Sequence, residues 1–579
     1  MPHRAALRDQ ADPASARGSL PGRRFALGLA LLLAGYLVLE TVYVLRLPLV
    51  MDELQGATEV ERLRDRLPYR DFPPYKTVLG YYLQLPVLVA APGWWSGLLL
   101  VKLEMALTVA VTLAWAAVRL ARRLRPGAVL LALAVLLSTS NFLERSAELR
   151  VDMPTALAGL VSLILLFEGG RRGAGWAGAW AALAILISQK GAFYPLAGGA
   201  ALGLDALLRR DREGLTAAVR FAVAGLAVGA AYLAFWAAVA GGDTLSATVD
   251  TARGAIGSVV EPIRRQFWLQ TLTRNPVFWL LSAASLALTA HRGRRGSECG
   301  ERGPARRLAA FAGVLLVVGL WYEQPWPYFF VLLLPTLWVV QAAAFDRIAG
   351  DDRWRRQSGR TRRLLVALVL IAGVAHPLAT RVPRVLARDN GFQRYNVELT
   401  AAILAPGGTY LAGVDLLANR RQAHQRLAWI DQRQQAALHA LPEGELRALI
   451  DQLEAAPPKL VVWNYRIANL PPLLRTYLAA RYRHLTGNLL IYSPVAPAGE
   501  AVVRLAFTGE YVVEVAAPTE CAVGGRPVSA GERVRLRAGR HATRCAVPMR
   551  LSLVPPSLER RLVGEYHDPR ALFPAVYHY

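Results

Sequence analysis

The stretch Val50–Tyr82, VMDELQGATEVERLRDRLPYRDFPPYKTVLGYY, directly follows the first long apolar run of the chain, Phe25–Val44. It opens with the acidic pair Asp52–Glu53, and its pattern predicts an amphipathic helix that carries charged residues as far as Asp65. Carboxylates at the end of a membrane span are costly unless they are paired or face a wet cavity. We therefore expect this stretch to carry function rather than to act as a linker.

The composition indicates a protein with many membrane spans. Of its 579 residues, 54% are hydrophobic and only 19% are charged, whereas soluble proteins are about a quarter charged. The net charge of +25 does not indicate nucleic-acid binding, because the arginines lie in short loops between apolar runs, where they act as topology signals. Three cysteines are too few for a disulfide scaffold or a zinc module.

The apolar runs predict about 11 transmembrane helices. With the N-terminus in the cytoplasm, the basic loops between the runs fall on the cytoplasmic side, as the positive-inside rule requires. This topology requires Thr77–Ala91 to lie in the membrane interface without spanning, and it places the residues after Arg381 outside. The runs are Phe25–Val44, Leu98–Val118, Ala128–Asn141, Met153–Phe167, Ala174–Ile187, Ala192–Leu208, Thr216–Ala240, Pro276–Ala290, Leu308–Tyr322, Tyr328–Phe345 and Leu364–Ala379.

Three domains are expected from the change in pattern along the chain. Residues 1–380 form the transmembrane domain, whose first outside loop, 46–96, holds the catalytic residues. Short strands that alternate with helices predict a periplasmic α/β domain over 381–498, and strand patterns with Gly and Pro turns predict a small β-sandwich and tail over 499–579.

Two of the cysteines, Cys521 and Cys545, fall in the predicted β-sandwich. An oxidising exterior favours a disulfide between them. The alternative is a pair of buried free thiols, since cysteine is among the residue types most often buried.

Further polar residues lie in outside loops close to the membrane, in Glu144–Pro154, Ser188–Gly191 and Trp321–Tyr328. A reaction fits this set. A lipid-phosphate sugar donor needs one carboxylate to deprotonate or align an acceptor hydroxyl, and Asp52 is the candidate. It also needs cations to stabilise the leaving phosphate, and Lys76, Arg150 and Lys190 are the candidates.

Each of these residues also has an ordinary structural interpretation. Asp52 is a plausible helix N-cap, with Gln55 completing a capping box, and Asp152 precedes a helix-starting proline, as caps often do. Lys190 could simply extend its ammonium to the interface. The aromatic residues of 321–328 could form an interfacial belt, although Glu323 within them is harder to explain in that way.

Taken in order, the motifs resemble those of the C superfamily of glycosyltransferases (GT-C), especially its protein O-mannosyltransferase-like and lipid A aminoarabinose transferase-like branches. The resemblance covers roughly the first two-thirds of the chain. Each motif alone is weak, and the ordered set is moderately specific. The motifs are Met51–Glu53, Asp71–Tyr75 with Tyr81–Tyr82, Arg150–Pro154, Gln189–Gly191, and Pro327–Tyr328 leading to Leu334–Pro335.

The resemblance implies inverting transfer of a sugar from a polyprenyl-phosphate donor to a lipid, glycan or protein acceptor. It places the reaction at the extracytoplasmic face of a bacterial inner membrane. The essential first-loop aspartate of the family matches Asp52 and its second acidic position matches Asp152, while Glu53 is expected to help shape the sugar or acceptor site. The candidate substrate or phosphate contacts are Lys76, Arg150, Lys190, Tyr81, Tyr82, Glu323 and Tyr328.

The chain departs from the aminoarabinose branch at two places. Gln55 stands where that branch has an arginine, and Asp71–Phe72 stand where it has Glu–Lys, with Lys76 following the prolines instead. These departures affect the phosphate contacts and any divalent metal. A metal is possible, but the resemblance transfers no ligand set to this chain.

Two other function classes are compatible with a polytopic chain. A transporter or lipid flippase should carry polar residues near the bilayer midplane, often in broken helices, whereas the ionisable residues here collect at one predicted membrane face. An inactive member would serve only to anchor an exterior binding domain, and the retention of Asp52 and Asp152 argues against it.

Overall fold

Helices make up the first two-thirds of the chain, and mixed helices and strands follow. The computed structural model describes residues 22–74, 76–169, 171–209, 212–241, 246, 263–295, 299–405, 408–517, 519–555 and 572–573. The helices before the first strand are α1 Arg23–Arg46, α2 Met51–Arg62, α3 Leu79–Ala90, α4 Trp94–Ala121, α5 Pro126–Leu137, α6 Ser140–Arg145, α7 Asp152–Glu168, α8 Arg171–Ile187, α9 Phe193–Arg209, α10 Arg212–Ala240, α11 Arg264–Arg274, α12 Pro276–Arg295, α13 Cys299–Trp321, α14 Leu334–Gly350, α15 Asp352–Arg356, α16 Gly359–Leu370, α17 His376–Leu386 and α18 Gly391–Ile403.

The predicted apolar runs are helical, which confirms a polytopic helical membrane protein. The number of spans stays a prediction, because several of these helices are shorter than the roughly 20 residues that cross a bilayer comfortably. By length and composition, six helical stretches of the described residues are able to cross: Arg23–Arg46, Trp94–Ala121, Gln189–Leu208, Arg212–Ala240, Gly303–Trp321 and Gly359–Leu386.

The helices at the centre of the bundle differ from those at its edge. Nearly every residue of α7 is buried, because a helix that is apolar on all sides must pack on all sides. In α10, by contrast, only Phe221 and Trp236 are buried, and side chains such as Leu226 are exposed. That exposure is expected of a helix that faces hydrocarbon, so α7 lies inside the domain and α10 at its surface.

The stretch Val50–Tyr82 contains helix α2 and the start of helix α3. Helix α2 ends at Arg62, so the predicted extension to Asp65 is wrong. Most of its residues are buried, including Leu54, Ala57 and Val60. Helix α3 is 12 residues long, shorter than the roughly 20 that cross a bilayer comfortably, and the interfacial position of Thr77–Ala91 stays a prediction.

A five-stranded mixed sheet follows the last apolar helix, in the order β2-β1-β3-β5-β4. Strands β2, β1 and β3 run parallel, and β5 is antiparallel to β3 and β4. The predicted strands at Thr409, Leu460 and Leu489 all form within this sheet. Its elements are β1 Thr409–Leu411, β2 Arg421–Gln422, α19 Gln425–Ala428, α20 Gln432–His439, α21 Glu443–Ala455, β3 Leu460–Val462, α22 Tyr465–Ala468, α23 Pro472–Arg481, β4 Tyr482–Thr486 and β5 Leu489–Tyr492.

Two four-stranded antiparallel sheets come last, in the orders β10-β9-β12-β7 and β11-β8-β13-β6. Cys521 and Cys545 lie opposite each other on β9 and β12 and are joined by a disulfide. The domain boundaries at 380 and 498 stay predictions. The strands are β6 Val495–Ala496, β7 Gly499–Leu505, β8 Gly509–Val515, β9 Cys521–Val523, β10 Arg526–Val528, β11 Arg533–Leu536, β12 Gly539–Cys545 and β13 Met549–Val554.

Candidate active site

The segment 144–152, which runs from the end of α6 to the first residue of α7, is approached closely by α2 and α3. A Cβ on Gly56 of α2 would lie 2.7 Å from the carbonyl oxygen of Leu149, and a Cβ on Gly80 of α3 would lie 2.6 Å from Val151 Cγ1. Contacts this short exclude any larger residue unless its neighbours move. The two glycines therefore allow the first outside loop to pack directly against the segment that carries Arg150.

This packing joins five of the predicted site residues in one charged network, here called the Asp52 cluster. Arg150 donates from Nη1 to Asp52 Oδ2 at 2.5 Å and from Nε to Asp152 Oδ2 at 3.0 Å. Lys190 Nζ lies 2.8 Å from Asp152 Oδ1, and Lys76 Nζ lies 3.9 Å from Asp152 Oδ2. Residues far apart in sequence thus meet at the N-terminal end of α7.

The ring of Tyr328 packs against two of the cations. Its centroid is 3.4 Å from Arg150 Cζ and 4.6 Å from Lys190 Nζ. An aromatic face attracts a cation without cancelling its charge. Tyr328 is thus the sixth member of the Asp52 cluster, which holds three cations and two carboxylates, and a further carboxylate oxygen, Glu148 Oε2, lies 4.0 Å from Arg150 Nε at its edge.

The carboxylates near this cluster differ sharply in accessibility. The side chain of Asp52 is 36% exposed, whereas those of Asp152 and Glu53 are each 2% exposed. Only Asp52 among the three is thus positioned to meet a substrate hydroxyl.

The capping interpretations of Asp52 and Asp152 are wrong. Val50 is the N-cap residue of α2, and Glu53 Oε2 accepts a hydrogen bond from the backbone N–H of Val50 at 3.0 Å. Asp152 is the first residue of α7 after the N-cap Val151, and no side-chain cap hydrogen bond forms there. Both aspartates instead form ion pairs. One of the partners of Asp152 is Lys190, so this ion pair replaces the interpretation that Lys190 only extends to the membrane interface.

Both carboxylate oxygens of Glu53 are bonded to other groups of the protein. Its Oε1 is 2.7 Å from Lys102 Nζ and accepts the Leu149 backbone N–H at 3.1 Å. Lys102 was not among the predicted residues. A signal was present, because a lysine inside the apolar run of α4 is expensive unless it is paired.

The surroundings shift the pKa values of the charged groups in the cluster. Partial burial would raise the pKa of Asp52, but the charge and hydrogen bond of Arg150, together with the charges of Arg466 and Lys76, hold it below its usual value. Burial lowers the pKa of Lys76 to about 8, and Arg150 and Lys190 add to this lowering while Asp152 opposes it. Asp52 is therefore ionised at neutral pH but is a weak base. Lys76 keeps most of its positive charge at neutral pH.

The remaining predicted contacts are placed differently. Tyr81 is buried in the apolar core, and the ring of Tyr82 stacks against Trp236 of α10 at a centroid distance of 6.1 Å. Glu323 is exposed, and in the described part of the chain it forms no ion pair with the cluster. The roles of these three residues as substrate contacts stay predictions.

The α/β region packs against the helix that carries Asp52. Tyr465 Oη lies 3.5 Å from Met51 Sδ, and Arg62 Nη2 lies 3.7 Å from Asp415 Oδ2. Arg466, whose guanidinium lies over the ring of Trp429 at 4.4 Å, adds positive potential at Asp52. Sequence patterns did not point to Arg466, because its position at the site depends on how the two regions dock.

The described residues contain no group of three or more His, Cys, Asp or Glu side chains that could hold a metal ion. Asp52 and Asp152, the acidic residues at the centre of the site, are already paired with cations. This donor set does not fit a resident divalent metal.

Comparisons of the sequence with known proteins find one family model. A family model described as a domain of unknown function, DUF7056, matches residues 438–491, and no curated protein matches the chain.

Solved structures match over most of the length. The apo oligosaccharyltransferase of Archaeoglobus fulgidus matches at 11% identity and a TM-score of 0.50, covering 88% of this chain and 75% of that one. ArnT of Cupriavidus metallidurans, solved bound to undecaprenyl phosphate, matches at 14% identity and a TM-score of 0.50, covering 80% of this chain and 97% of that one. The chain therefore has the fold of the GT-C glycosyltransferases.

Proposed function

We propose that this protein is an inverting glycosyltransferase that moves a sugar from a polyprenyl-phosphate donor to a lipid, glycan or protein acceptor. We place the reaction at the extracytoplasmic face of a bacterial inner membrane, with the N-terminus in the cytoplasm. One observation carries the proposal. Asp52, an accessible carboxylate, lies beside a buried set of cations whose charge is only partly cancelled. The binding of undecaprenyl phosphate by ArnT, which shares the fold, supports the class of donor.

The charge of the Asp52 cluster suits a lipid-phosphate sugar. Such a donor is a phosphodiester with one negative charge, which the three cations of the cluster attract. When the sugar leaves, the phosphate becomes a monoester and gains negative charge. Lys76, Arg150 and Lys190 then interact more strongly with the transition state than with the donor, which is the requirement for catalysis.

The reaction is a single displacement. The acceptor hydroxyl oxygen attacks the anomeric carbon, and the bond from that carbon to the phosphate oxygen breaks. The electron pair of that bond leaves with the polyprenyl phosphate, and the hydroxyl proton passes to the carboxylate of Asp52. Because Arg150 lowers the pKa of Asp52, the proton moves late, once the forming bond has made the hydroxyl acidic.

Two neighbours act by positioning the reacting groups. Glu53 holds Leu149 in place through its backbone N–H and so fixes the segment that presents Arg150. Tyr328 supports Arg150 and Lys190 from one side and leaves their charge available to the phosphate.

The test uses purified protein in detergent, a panel of radiolabelled polyprenyl-phosphate sugars, and host membrane extract as the source of acceptor. We expect label in a new product, and a loss of about a hundred- to ten-thousand-fold in Asp52→Asn. Asp65→Asn is the matched control, because Asp65 is an exposed carboxylate close by in the same loop. Near-normal transfer by folded Asp52→Asn would exclude Asp52 as the base.

The same donors, offered to the protein reconstituted in lipid vesicles, separate the other function classes. Donor that crosses a vesicle membrane without transfer of label would indicate a flippase. Donor binding with neither transfer nor hydrolysis would indicate an inactive anchor.

A further inference from the structure

The carboxyl edge of the five-stranded sheet lies beside the helix that carries Asp52. Strands β1 and β3 are parallel neighbours, and the chain leaves β1 toward β2 on one side of the sheet but leaves β3 toward β4 and β5 on the other. In open sheets, ligands bind in the crevice at the carboxyl ends of two strands related in this way. Gly413 and Arg466 lie in the two loops that follow these strands. Tyr465, next to Arg466, contacts Met51 of α2 at 3.5 Å.

The side chain of Arg466 is held in place at this crevice. Its backbone N–H donates to the buried side chain of Asn464 at 2.9 Å, and Nη1 donates to the carbonyl oxygen of Gly413 at 3.0 Å. The guanidinium packs over the ring of Trp429, and the residue is only 7% exposed. Because the group is ordered before a ligand arrives, binding costs little further conformational entropy.

The positive charge of Arg466 has no carboxylate partner. In the part of the chain that the structure describes, no ion pair joins its guanidinium to an acidic residue, although buried charges are normally paired. Asp52 interacts with it only at longer range and is itself bonded to Arg150. Asp415, in the loop after β1, is paired with Arg62. These carboxylates therefore offset only part of the guanidinium charge.

The unused donors of Arg466 are open to a ligand. Within the described residues Nε and Nη2 donate no hydrogen bond, and neither belongs to the side-chain nitrogen atoms that are both sealed from the surface and unpartnered. The side chain of Asp52 is likewise accessible. Arg466 lies close enough to Asp52 to lower its pKa but too far away to form an ion pair with it. A ligand of a few atoms can therefore contact both groups.

We propose that Arg466 binds an anionic group, a phosphate or a carboxylate, on the sugar acceptor and so directs a nearby acceptor hydroxyl to Asp52. Nε and Nη2 form the fork that binds two oxygens of such a group, and the anion compensates a buried charge that the protein leaves without a partner. The donor phosphate has its own cations in the Asp52 cluster. This inference rests on the proposed function, because it names the class of acceptor for that reaction.

The test is isothermal titration calorimetry of the purified full chain in detergent, without donor. The probes are glucose 6-phosphate, neutral glucose, and phosphatidylglycerol in mixed micelles. We expect an anionic probe to bind about tenfold or more tightly than glucose. Arg466→Gln should abolish this preference, and Arg466→Lys should keep part of it, because the charge remains while the fork is lost. Arg447→Gln, on the exposed face of α21, is the matched control and should keep all of it.

The comparison of two probes on the same variant separates recognition of the anion from loss of folding. Equal binding of glucose and both anionic probes to the wild type would overturn the proposal, as would an unchanged preference in Arg466→Gln. An equal weakening in Lys190→Gln and Arg466→Gln would place the anion among the donor cations instead. Preference for glucose 6-phosphate assigns the anion to a glycan and preference for phosphatidylglycerol alone assigns it to a lipid headgroup, and both support an anionic acceptor.

The transfer assay distinguishes failure of this inference from failure of the proposed function. In that assay Arg466→Gln should raise the half-saturating concentration of membrane extract about tenfold and leave the Michaelis constant for the donor unchanged. Transfer by the wild type without this effect of Arg466→Gln would retain the glycosyltransferase and reject the acceptor contact. An anion preference that depends on Arg466, without transfer from any donor, would reject the glycosyltransferase and with it the role of the bound anion as acceptor.

Discussion

Two carboxylates with arginine partners, Asp52 and Asp205, show how differently the same chemistry is used in this molecule. Asp205 on α9 accepts from Arg306 Nε at 2.8 Å and from Arg307 Nη1 at 2.9 Å, and its side chain is 3% exposed. Both oxygens are occupied, so the group holds α9 against α13. At Asp52 a single arginine is shared with Asp152, and the carboxylate stays 36% exposed. A closed pair stabilises the fold, whereas an open network keeps a charged oxygen available for a substrate.

The comparison predicts opposite outcomes for matched substitutions. Asp205→Asn leaves two largely but not fully buried guanidinium groups without their carboxylate and should lower the free energy of unfolding by about 3–5 kcal/mol. Asp52→Asn should lower it by less than about 1 kcal/mol, because that side chain is partly solvated. Denaturant unfolding in detergent measures both values. Equal losses in the two variants would show that the distinction between closed and open networks is wrong.

The lowered pKa of Lys76 predicts how donor binding at the open network depends on pH. Burial lowers its pKa to about 8, so the cation is lost as pH rises through that value, and binding of the donor phosphate should weaken by up to about tenfold per pH unit above it. In Lys76→Arg the charge persists to higher pH, and this alkaline decline should disappear. Donor affinity measured from pH 6 to 10 tests this, and an unaltered decline in Lys76→Arg would assign it to another group.

Removal of the aromatic ring of Tyr328 should have the smallest effect of these changes. Tyr328→Leu removes a cation–π partner of Arg150 and Lys190, a loss of about 0.5–2 kcal/mol, and should raise the Michaelis constant for the donor about two- to thirtyfold. Tyr328→Phe keeps the ring and should stay close to the wild type. A Phe variant as impaired as the Leu variant would transfer the role from the ring to the hydroxyl.

The residues of the Asp52 cluster were predictable from the sequence, but the geometry in which they meet was not. Asp52, Lys76, Arg150, Asp152 and Lys190 stood out because charged groups near apolar runs need a reason to be there. Lys102 and Arg466 did not stand out as members of the site. Lys102 pairs with Glu53 on a different helix, and Arg466 adds positive potential at Asp52 only because the α/β region docks on α2.

The helices of the membrane region and about half of the strands that follow them were predictable from the sequence by itself. An apolar run becomes a helix in hydrocarbon because its backbone has no other partner there, and this property is local to the run. Exposure is not local. Asp52 and Glu53 are neighbours in one turn of α2, yet one faces the site and the other is enclosed by Lys102, Leu149 and Val50. Tertiary packing alone decided which of the two carboxylates is available for chemistry, because burial depends on segments far away in sequence.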